Sequence, residues 1–323
     1  MGRRNVLLCF DAFGTLFKPR QPIAEQYAAV ARECGLGGFS TEQLQAAFKT
    51  AFSGELKAHP NYGRASGMGA EKWWTNVIHK TFQPLIGPSR TLPAALAPRL
   101  LHRFSSREGY SLAPGVDSLL RSLKHQQHQQ QQRSSVTVGV ITNSDDRVPN
   151  ILSSLGLRIS PLRFGASIYS ADTTSNSHGE YDIDLHCLSY DVGYAKPDRR
   201  IFDAAQDMAS QILSGAVAPE QGVKSGGGRS SSGAAREDTA WLKLHVGDEF
   251  EKDIVGARDA GWNSVFVGTD ADMAARDNMN VLDLARLARS GLDEVFPENG
   301  TSPVTIRADS TQSFLQWLIE RPS

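Results

Sequence analysis

Polar residues stand directly after three apolar runs of this 323-residue chain. Asp11 follows residues 6–10, Thr142 follows residues 136–141, and Asp248 follows residues 242–246 after one glycine. A carboxylate at the end of a buried strand is costly unless a partner or a cation stabilises its charge. Two carboxylates about 4 Å apart repel each other by about 4 kcal/mol at an effective dielectric constant near 20. Magnesium suits such a pair, because it binds one or two carboxylates and leaves room for waters and a phosphate oxygen.

The runs themselves predict how these residues come together. Runs of mainly apolar residues are typical of strands buried on both faces of a parallel sheet, and this chain has them at 6–10, 136–141, 242–246 and 264–267. Helical patterns lie before or after these runs, at 116–123, 148–155, 200–205 and 253–260. Strands joined by helix-length crossovers predict an α/β fold with a doubly wound parallel sheet. Ligands bind at the carboxyl ends of such strands, where Asp11, Thr142 and Asp248 fall.

The segment 18–110 has a different pattern. Its apolar residues recur with helical spacing at 23–34, 41–52, 70–82 and 94–104. We therefore expect a helical cap domain at 18–110, inserted into a core formed by residues 1–17 and 111–323. Two low-complexity segments of the core, the Gln-rich 125–135 and the Gly/Ser-rich 225–236, are expected to be solvated, disordered insertions.

Each polar motif also has an ordinary structural interpretation. Asp11 could cap the next turn, and the segment 142–144, Thr-Asn-Ser, is a good helix N-cap. Lys196 could be a solvated lysine before a helix that starts at Pro197, a favoured first position. Residues 245–253, His-Val-Gly-Asp-Glu-Phe-Glu-Lys-Asp, could be a capped helix with surface acids. Four such motifs in this order, each at a predicted strand end, favour a functional interpretation.

Together the motifs resemble those of the haloacid dehalogenase-like (HAD) hydrolase superfamily. They are residues 10–16 (Phe-Asp-Ala-Phe-Gly-Thr-Leu), 140–144, 193–202 (Gly-Tyr-Ala-Lys-Pro-Asp-Arg-Arg-Ile-Phe) and 245–262. Within the predicted cap, residues 59–63 and the pair Trp73-Trp74 resemble the subfamily of haloacid dehalogenase-like hydrolase domain-containing protein 3 and the rhythmically expressed gene 2 type proteins. The resemblance covers most of the chain up to about residue 270, apart from the two low-complexity segments.

The resemblance implies a role for each motif. Asp11 is the implied nucleophile, and Lys196 would hold both this carboxylate and the anionic group of the substrate. Thr142 and Asn143 would bind the group that is transferred. A Mg²⁺ ion would be held by Asp11, the backbone carbonyl of Phe13, Asp248 and Asp253, with Asp253 touching the ion directly or acting through its other ligands.

The chain departs from the superfamily at Phe13. Phosphatases of the superfamily have a second aspartate there that acts as general acid and base, whereas phenylalanine cannot move a proton. General acid–base catalysis contributes about 10²–10⁴-fold. We therefore expect a weak Mg²⁺-dependent phosphatase for a small phosphorylated compound, best with aryl or acyl phosphates. The alternative is a catalytically silent protein that binds a phosphorylated ligand or a protein. A metal-independent dehalogenase ranks third. Dehalogenases of the superfamily tend to lose the acidic motif that Asp248 belongs to, whereas this chain keeps Asp248 and Asp253.

The composition of the chain argues against nucleic acid and membranes as its partners. A formal net charge of −1 provides no field for steering onto nucleic acid or an anionic membrane. The apolar runs are far shorter than the roughly 20 residues that cross a bilayer. Three cysteines without paired or metal-binding spacing, and an amino terminus without a signal-peptide pattern, lead us to expect a cytoplasmic location, with the nucleus left open. The sequence does not indicate an oligomeric state.

Overall fold

The computed structural model describes residues 5–129, 135–165, 181–214, 241–269, 281–287, 289–297, 300 and 302–320. The strands in these ranges are β1 (Asn5–Phe10), β2 (Phe17–Pro19), β3 (Tyr110–Leu112), β4 (Val136–Thr142), β5 (Leu185–Leu188), β6 (Trp241–Gly247), β7 (Asn263–Val267), β8 (Val281–Asp283) and β9 (Thr305–Ala308). Seven of them form one sheet in the order β5-β4-β1-β6-β7-β9-β8, and every neighbouring pair in it is parallel. The predicted α/β fold with a parallel sheet between helices is confirmed.

The helices of the described ranges are α1 (Ile23–Glu33), α2 (Thr41–Ala58), α3 (Pro60–Gly63, a single turn), α4 (Ala70–Ile86), α5 (Leu96–Arg103), α6 (Val116–Gln129), α7 (Val148–Ser154), α8 (Ser189–Val192), α9 (Arg199–Ser214), α10 (Gly256–Asp259), α11 (Leu292–Val295) and α12 (Thr311–Ile319). Short 3₁₀ segments lie at Arg64–Ser66 and Leu284–Leu287, and a π-helical turn lies at Phe250–Val255. These helices are too short or too polar to span a lipid bilayer within the described part of the chain.

Strand β1 lies at the centre of the core. All six of its residues are buried. Because side chains alternate along a strand, Val6, Leu8 and Phe10 join one apolar cluster, while Leu7 and Cys9 join another. Helices cover both faces, which explains why β1 is a continuous apolar run in the sequence. Cys9 has no solvent exposure and packs as the small apolar residue that its position predicts.

The segment between β2 and β3 is helical in the structure. It contains α1, α2, α4 and α5, and its residues include the four predicted helical patterns. Strands β2 and β3 pair antiparallel with the register Phe17↔Leu112, Lys18↔Ser111 and Pro19↔Tyr110. The chain therefore leaves the sheet region and returns to it through one two-stranded connection. The predicted cap, 18–110, begins and ends within this connection.

Some local expectations were wrong or incomplete. Helix α6 continues to Gln129, so residues 125–129 of the Gln-rich segment are helical, not a disordered loop. Residues 130–134, and the Gly/Ser-rich segment 225–236, lie outside the described residues. The predicted helix over 253–260 is divided between the π-helical turn Phe250–Val255 and the short α10. Such π-helical turns often occur at functional sites.

Candidate active site

Three neighbouring strands bring the predicted site residues to one edge of the sheet. β1 lies between β4 and β6, and Asp11 follows β1 directly. The backbone N–H of Asp11 donates to the carbonyl of Val246, 2.8 Å away, so the end of β1 is fixed against β6. Asp11, Asp248 and Asp253 each present a carboxylate oxygen, and these oxygens lie within 4.8 Å of one another. Parallel pairing thus brings Asp11 next to Asp248 and Asp253, which lie far from it in the sequence.

Lys196 lies among these acids. Its Nζ donates to Oδ1 of Asp11 at 2.6 Å, to Oδ1 of Asp253 at 2.6 Å and to the carbonyl of Ile141 at 2.8 Å. These three bonds use all the donors of an ammonium group. Burial alone would lower the pKa of Lys196, but the charges of Asp11 and Asp253 outweigh it and raise the pKa. The side chain therefore stays positively charged, although it is almost fully buried.

The remaining charge of the cluster is negative. Burial, only partly offset by Lys196, raises the pKa of Asp11. Burial and the neighbouring Asp11 raise the pKa of Asp248 to about 6. Burial is the main cause of both shifts, and one ammonium group among three acids leaves the cluster with excess negative charge. A divalent cation would supply the missing charge, and oxygen donors are the ligands that magnesium prefers.

The backbone around Asp248 leaves little free space. Gly14 has φ +81°, and a Cβ atom there would lie only 2.0 Å from Oδ2 of Asp248. Thr15 donates its hydroxyl proton to Oδ1 of Asp248 over 3.0 Å. The Gly-Thr turn after Asp11 is therefore required for Asp248 to approach the site.

Asp253 is held on both of its oxygens. Oδ1 accepts from Lys196 and lies 3.0 Å from Nε2 of His245, while Oδ2 accepts the backbone N–H of Glu249 at 2.9 Å. Burial would raise the pKa of Asp253, but the charge of Lys196 and the His245 bond hold it well below its usual value. A Cβ on Gly247 would lie 2.2 Å from Cγ of Asp253. Asp253 is thus a fixed carboxylate that packs against the strand end.

Asn143 connects two of the predicted motifs. Its Oδ1 accepts the backbone N–H of Lys196 at 2.6 Å, and its Nδ2 donates to the carbonyl of the same residue at 2.8 Å. On the other side of the lysine loop, a Cβ on Gly256 would lie 2.8 Å from the Cα of Pro197. These contacts hold the backbone of Lys196, so Asn143 has a positioning role that the sequence did not suggest. The predicted binding of substrate by Thr142, which is buried at the end of β4, and by Asn143 stays a prediction.

Phe13 belongs to an aromatic group at the junction of the predicted domains. Its ring packs edge-on against Phe17, at a centroid distance of 4.7 Å, and against Tyr110 at 5.6 Å. The ring contributes packing and no proton donor. The proposed binding of Mg²⁺ by the backbone carbonyl of Phe13 stays a prediction.

A strained turn of the helical segment reaches towards this site. Asn61 and Tyr62 have φ of 47° and 58°, a left-handed conformation that costs roughly 1–2 kcal/mol per residue. Asn61 Nδ2 donates to the carbonyl of Ser189 at 2.7 Å, and Ser189 Oγ donates back to Asn61 Oδ1 at 3.2 Å. Tyr62 OH donates to the carbonyl of Asn143 at 3.3 Å. Strain of this kind clusters at functional sites.

The sequence alone does not show which side chains of the predicted cap point towards the site. Three side chains of the helical segment contact the core: Tyr62 as described, Arg64 through the carbonyl of Asp191 at 3.1 Å, and Trp74 through Oδ2 of Asp145 at 2.7 Å. Trp73, in contrast, is fully buried in the helical segment and donates to the carbonyl of His59. One tryptophan of the pair is therefore part of the interior of the helical segment, and the other contacts the core.

Sequence reasoning missed two contributors. His245 lies in β6 and contacts Asp253, and its only signal is a buried polar residue inside an apolar run. Asp145, which is fully buried, accepts from Trp74 and from Arg147, whose guanidinium lies 4.3 Å from the Trp74 ring centre. Its signal is an extra aspartate just after the Thr-Asn-Ser motif.

Comparison with known proteins gives consistent matches. The model of the haloacid dehalogenase-like hydrolase family matches residues 7–212, and a second HAD-hydrolase-like model matches residues 193–283. The haloacid dehalogenase-like hydrolase domain-containing protein 3 of Bos taurus is 27% identical over 275 residues, which cover 84% of this chain and 86% of that protein. The uncharacterized protein YMR130W of Saccharomyces cerevisiae is 28% identical over 264 residues, 82% of this chain and 72% of that protein.

Two solved structures match the chain at low identity and with TM-scores below 0.5. The 2-haloacid dehalogenase of Pseudomonas syringae pv. Tomato DC3000 has a TM-score of 0.48 at 18% identity, covering 98% of this chain and 99% of its own. The HAD phosphatase of Thermococcus onnurineus has a TM-score of 0.44 at 14% identity, covering 97% of each chain. These values do not distinguish the two chemistries.

The family model spans well over half of the chain, and its residues include Asp11, Thr142 and Lys196. This chain belongs to the haloacid dehalogenase-like hydrolase family.

Proposed function

We propose that this protein is a Mg²⁺-dependent phosphatase that acts on a small phosphorylated compound through an aspartyl-phosphate on Asp11. The observation that carries this proposal is the cluster of Asp11, Asp248 and Asp253 with Lys196 bonded to two of the three. A nucleophilic carboxylate, an ammonium group and acids that can hold a divalent cation are the groups that phosphoryl transfer to an aspartate uses.

The acidic cluster fits a Mg²⁺ ion. Its donors are carboxylate oxygens, two of the three acids have raised pKa values, and Gly14 leaves Asp248 the space to approach. Asp11, Asp248 and the carbonyl of Phe13 would hold the ion, and Asp253, whose Oδ1 is occupied by Lys196 and His245, would act through them. When bound, Mg²⁺ would neutralise charge that develops on the phosphoryl oxygens.

The first step is attack of an Asp11 oxygen on phosphorus. Lys196 holds Oδ1, so we assign the attack to Oδ2. The bond from phosphorus to the leaving oxygen breaks, and the leaving group departs with the electron pair. In the second step water attacks phosphorus, the bond from phosphorus to the Asp11 oxygen breaks, and the carboxylate is restored. Inorganic phosphate carries the water oxygen with one of its protons, and the other proton passes to a phosphate oxygen or to solvent. Lys196 keeps the carboxylate oriented in both steps.

Phe13 restricts the substrates that this scheme can serve. An alkoxide leaving group needs a proton in the first step, and residue 13 cannot donate one. A carboxylate released from an acyl phosphate needs none, and an aryl oxide needs less help. We therefore propose acyl and aryl phosphates as the better substrates, with the helical segment 18–110 as the cap that selects among them.

Two other functions remain distinct alternatives. Replacement of the usual acid by Phe13 favours a catalytically silent protein that binds a phosphorylated ligand. A metal-independent dehalogenase is the third candidate, and the retained acids Asp248 and Asp253 count against it, because attack on carbon needs no cation.

The test is hydrolysis of acetyl phosphate and p-nitrophenyl phosphate by purified protein, with and without Mg²⁺, beside Asp11→Asn. Turnover that needs Mg²⁺ and vanishes in the variant supports the proposal. Ligand binding without turnover would replace it with the binding function, and halide release from 2-haloacids without Mg²⁺ would replace it with dehalogenation.

A further inference from the structure

A buried histidine lies behind the acidic cluster. His245 is on β6, has no solvent exposure, and places Nε2 3.0 Å from Oδ1 of Asp253. The same Oδ1 accepts from Lys196 at 2.6 Å, and Lys196 reaches Oδ1 of Asp11 at 2.6 Å. A continuous row of hydrogen bonds therefore connects His245 to the proposed nucleophile through Asp253 and Lys196.

The contacts of His245 define which nitrogen carries the proton. Asp253 as a carboxylate only accepts, so Nε2 of His245 must be the donor. Nδ1 is buried and has no hydrogen-bond partner within the described residues. A proton on Nδ1 would therefore be left unsatisfied, which is costly. The ring packs edge-on against Phe202 at a centroid distance of 5.2 Å, so packing holds the imidazole in the orientation that aims Nε2 at Asp253.

We propose that His245 is a positioning residue of the Asp11 site: it fixes Oδ1 of Asp253, and Asp253 in turn aims the Lys196 ammonium at Asp11. Oδ1 uses both of its lone pairs when it accepts from His245 and Lys196 together. Without the imidazole donor, Oδ1 of Asp253 keeps only its bond from Lys196, so the carboxylate is fixed less firmly by that bond and by the Glu249 N–H at Oδ2. A carboxylate that shifts from its place would no longer aim the Lys196 ammonium at Asp11.

A second buried histidine provides a matched control. His186 on β5 is also almost completely buried, with Nε2 3.2 Å from the carbonyl of Ser160 and Nδ1 without a partner in the same described ranges. It has the same single bond and the same burial, but its partner is a backbone carbonyl and not a site residue. Loss of a buried imidazole at 186 therefore reproduces the packing cost without altering Asp253.

The inference rests on the proposed function, so its first test is turnover of acetyl phosphate with Mg²⁺. Removal of a residue that orients a metal ligand typically lowers activity or metal affinity about 10–100-fold. We expect His245→Leu to lower kcat about 10–100-fold with little change in KM. His245→Gln, whose amide nitrogen reaches about as far as Nε2, should restore most of the rate. His186→Leu should lower the thermal midpoint similarly and leave kcat unchanged.

The variants also cover the case in which His245→Leu fails to fold. His245→Asn keeps a polar group but ends short of Asp253, so it should fail where His245→Gln succeeds. Equal kcat in His245→Asn and His245→Gln, or equal loss in His245→Leu and His186→Leu, would overturn the inference and leave His245 as a purely structural residue.

A second measurement separates this inference from the proposed function. If the wild-type protein does not turn over acetyl phosphate, the phosphatase proposal fails, and ¹⁵N NMR of the imidazole decides the role of His245. We expect a protonated Nε2 and an unprotonated Nδ1 in the wild type, with faster exchange of the Nε2 proton in Asp253→Ala. A proton on Nδ1, or exchange unaffected by Asp253→Ala, would refute the positioning role in either case.

Discussion

Gly14 and Asp248 lie so close together that no side chain fits between them. The position that a Cβ of residue 14 would take lies 2.0 Å from Oδ2 of Asp248, and the φ of Gly14 is +81°. The turn after the proposed nucleophile therefore leaves just enough space for Asp248, the second acid of the cluster. The two are far apart in the sequence: Thr15, which follows Gly14, is 233 positions from Asp248.

We expect Gly14→Ala to displace Asp248 and to lower Mg²⁺ affinity at least about tenfold, as loss of a supporting contact of a metal ligand does. Calorimetric titration with Mg²⁺ measures this. Gly35→Ala is the matched control, because Gly35 has φ +78° and no atom near its Cβ position. The control should lose about 1 kcal/mol of stability from the strained backbone and retain Mg²⁺ affinity. Equal affinity in Gly14→Ala and wild type would contradict the steric argument.

Metal binding should depend on pH through Asp248. Its pKa of about 6 in the metal-free protein means that Mg²⁺ competes with a proton below that pH, so affinity should fall by up to about tenfold per pH unit. Thr15→Val removes the hydroxyl that donates to Asp248 and helps lower this pKa, so the loss of affinity should begin at higher pH in the variant. Titrations at several pH values compare the two proteins, and identical pH profiles would count against Asp248 as a ligand.

The raised pKa of Asp248 has the opposite effect on the stability of the metal-free protein, which increases as pH falls. Asp248 is protonated near pH 6 in the folded protein, but only near its ordinary pKa of 3.8 in the unfolded chain. Its contribution to the free energy of unfolding therefore rises as pH falls across that interval. Denaturant titrations of wild type and Asp248→Asn without Mg²⁺ should show a difference that changes between pH 6 and pH 4.

Restoring an acid at position 13 should broaden the substrate range. General acid catalysis contributes about 10²–10⁴-fold, so Phe13→Asp should raise kcat/KM for an alkyl phosphate and affect acetyl phosphate little. Phe13→Asn is the control, since it also loses the ring contacts with Phe17 and Tyr110, worth about 0.5–1.5 kcal/mol each. A gain on alkyl phosphates shared by both variants would show that the carboxyl group is not its cause.

The strained turn of the helical segment should be stabilised by its contact with Ser189. Asn61→Ala loses both hydrogen bonds to Ser189 and keeps a left-handed residue, whereas Asn61→Gly loses the bonds but relieves the strain. We expect urea denaturation to show Asn61→Ala as less stable than Asn61→Gly by about 1 kcal/mol. Both should lower kcat/KM, because the turn carries Tyr62 to Asn143. A fully active Asn61→Ala variant would show that the turn does not contribute to activity.

Much of this architecture was predictable from the pattern of residues. Strands β1, β4, β6 and β7 contain mostly apolar runs, and each predicted run overlaps the strand found. Because polar residues at the ends of neighbouring parallel strands must meet, Asp11, Thr142 and Asp248 could be placed at one edge without coordinates. Lys196 was identified through its family resemblance.

Other features depend on contacts that leave no periodic signal. Strands β5, β8 and β9 have three or four residues each, too few to show a period. The Asn143 contacts with Lys196 and the Asn61 contacts with Ser189 join segments that are 53 and 128 positions apart in the chain. His245 and Asp253 are only eight positions apart, but their contact depends on the fold of the π-helical turn that contains Asp253. Such pairings are determined by tertiary packing, so a single sequence could not reveal them.

The most direct test of the central claim is to capture phosphorus on Asp11. Protein mixed with acetyl phosphate and Mg²⁺ is quenched within one turnover, reduced with borohydride, which converts an aspartyl-phosphate to homoserine, and analysed by mass spectrometry of the peptide that contains residue 11. We predict homoserine at position 11 in the wild type and none in Asp11→Asn. Turnover of acetyl phosphate without homoserine at position 11, or homoserine only at another carboxylate, would contradict Asp11 as the nucleophile.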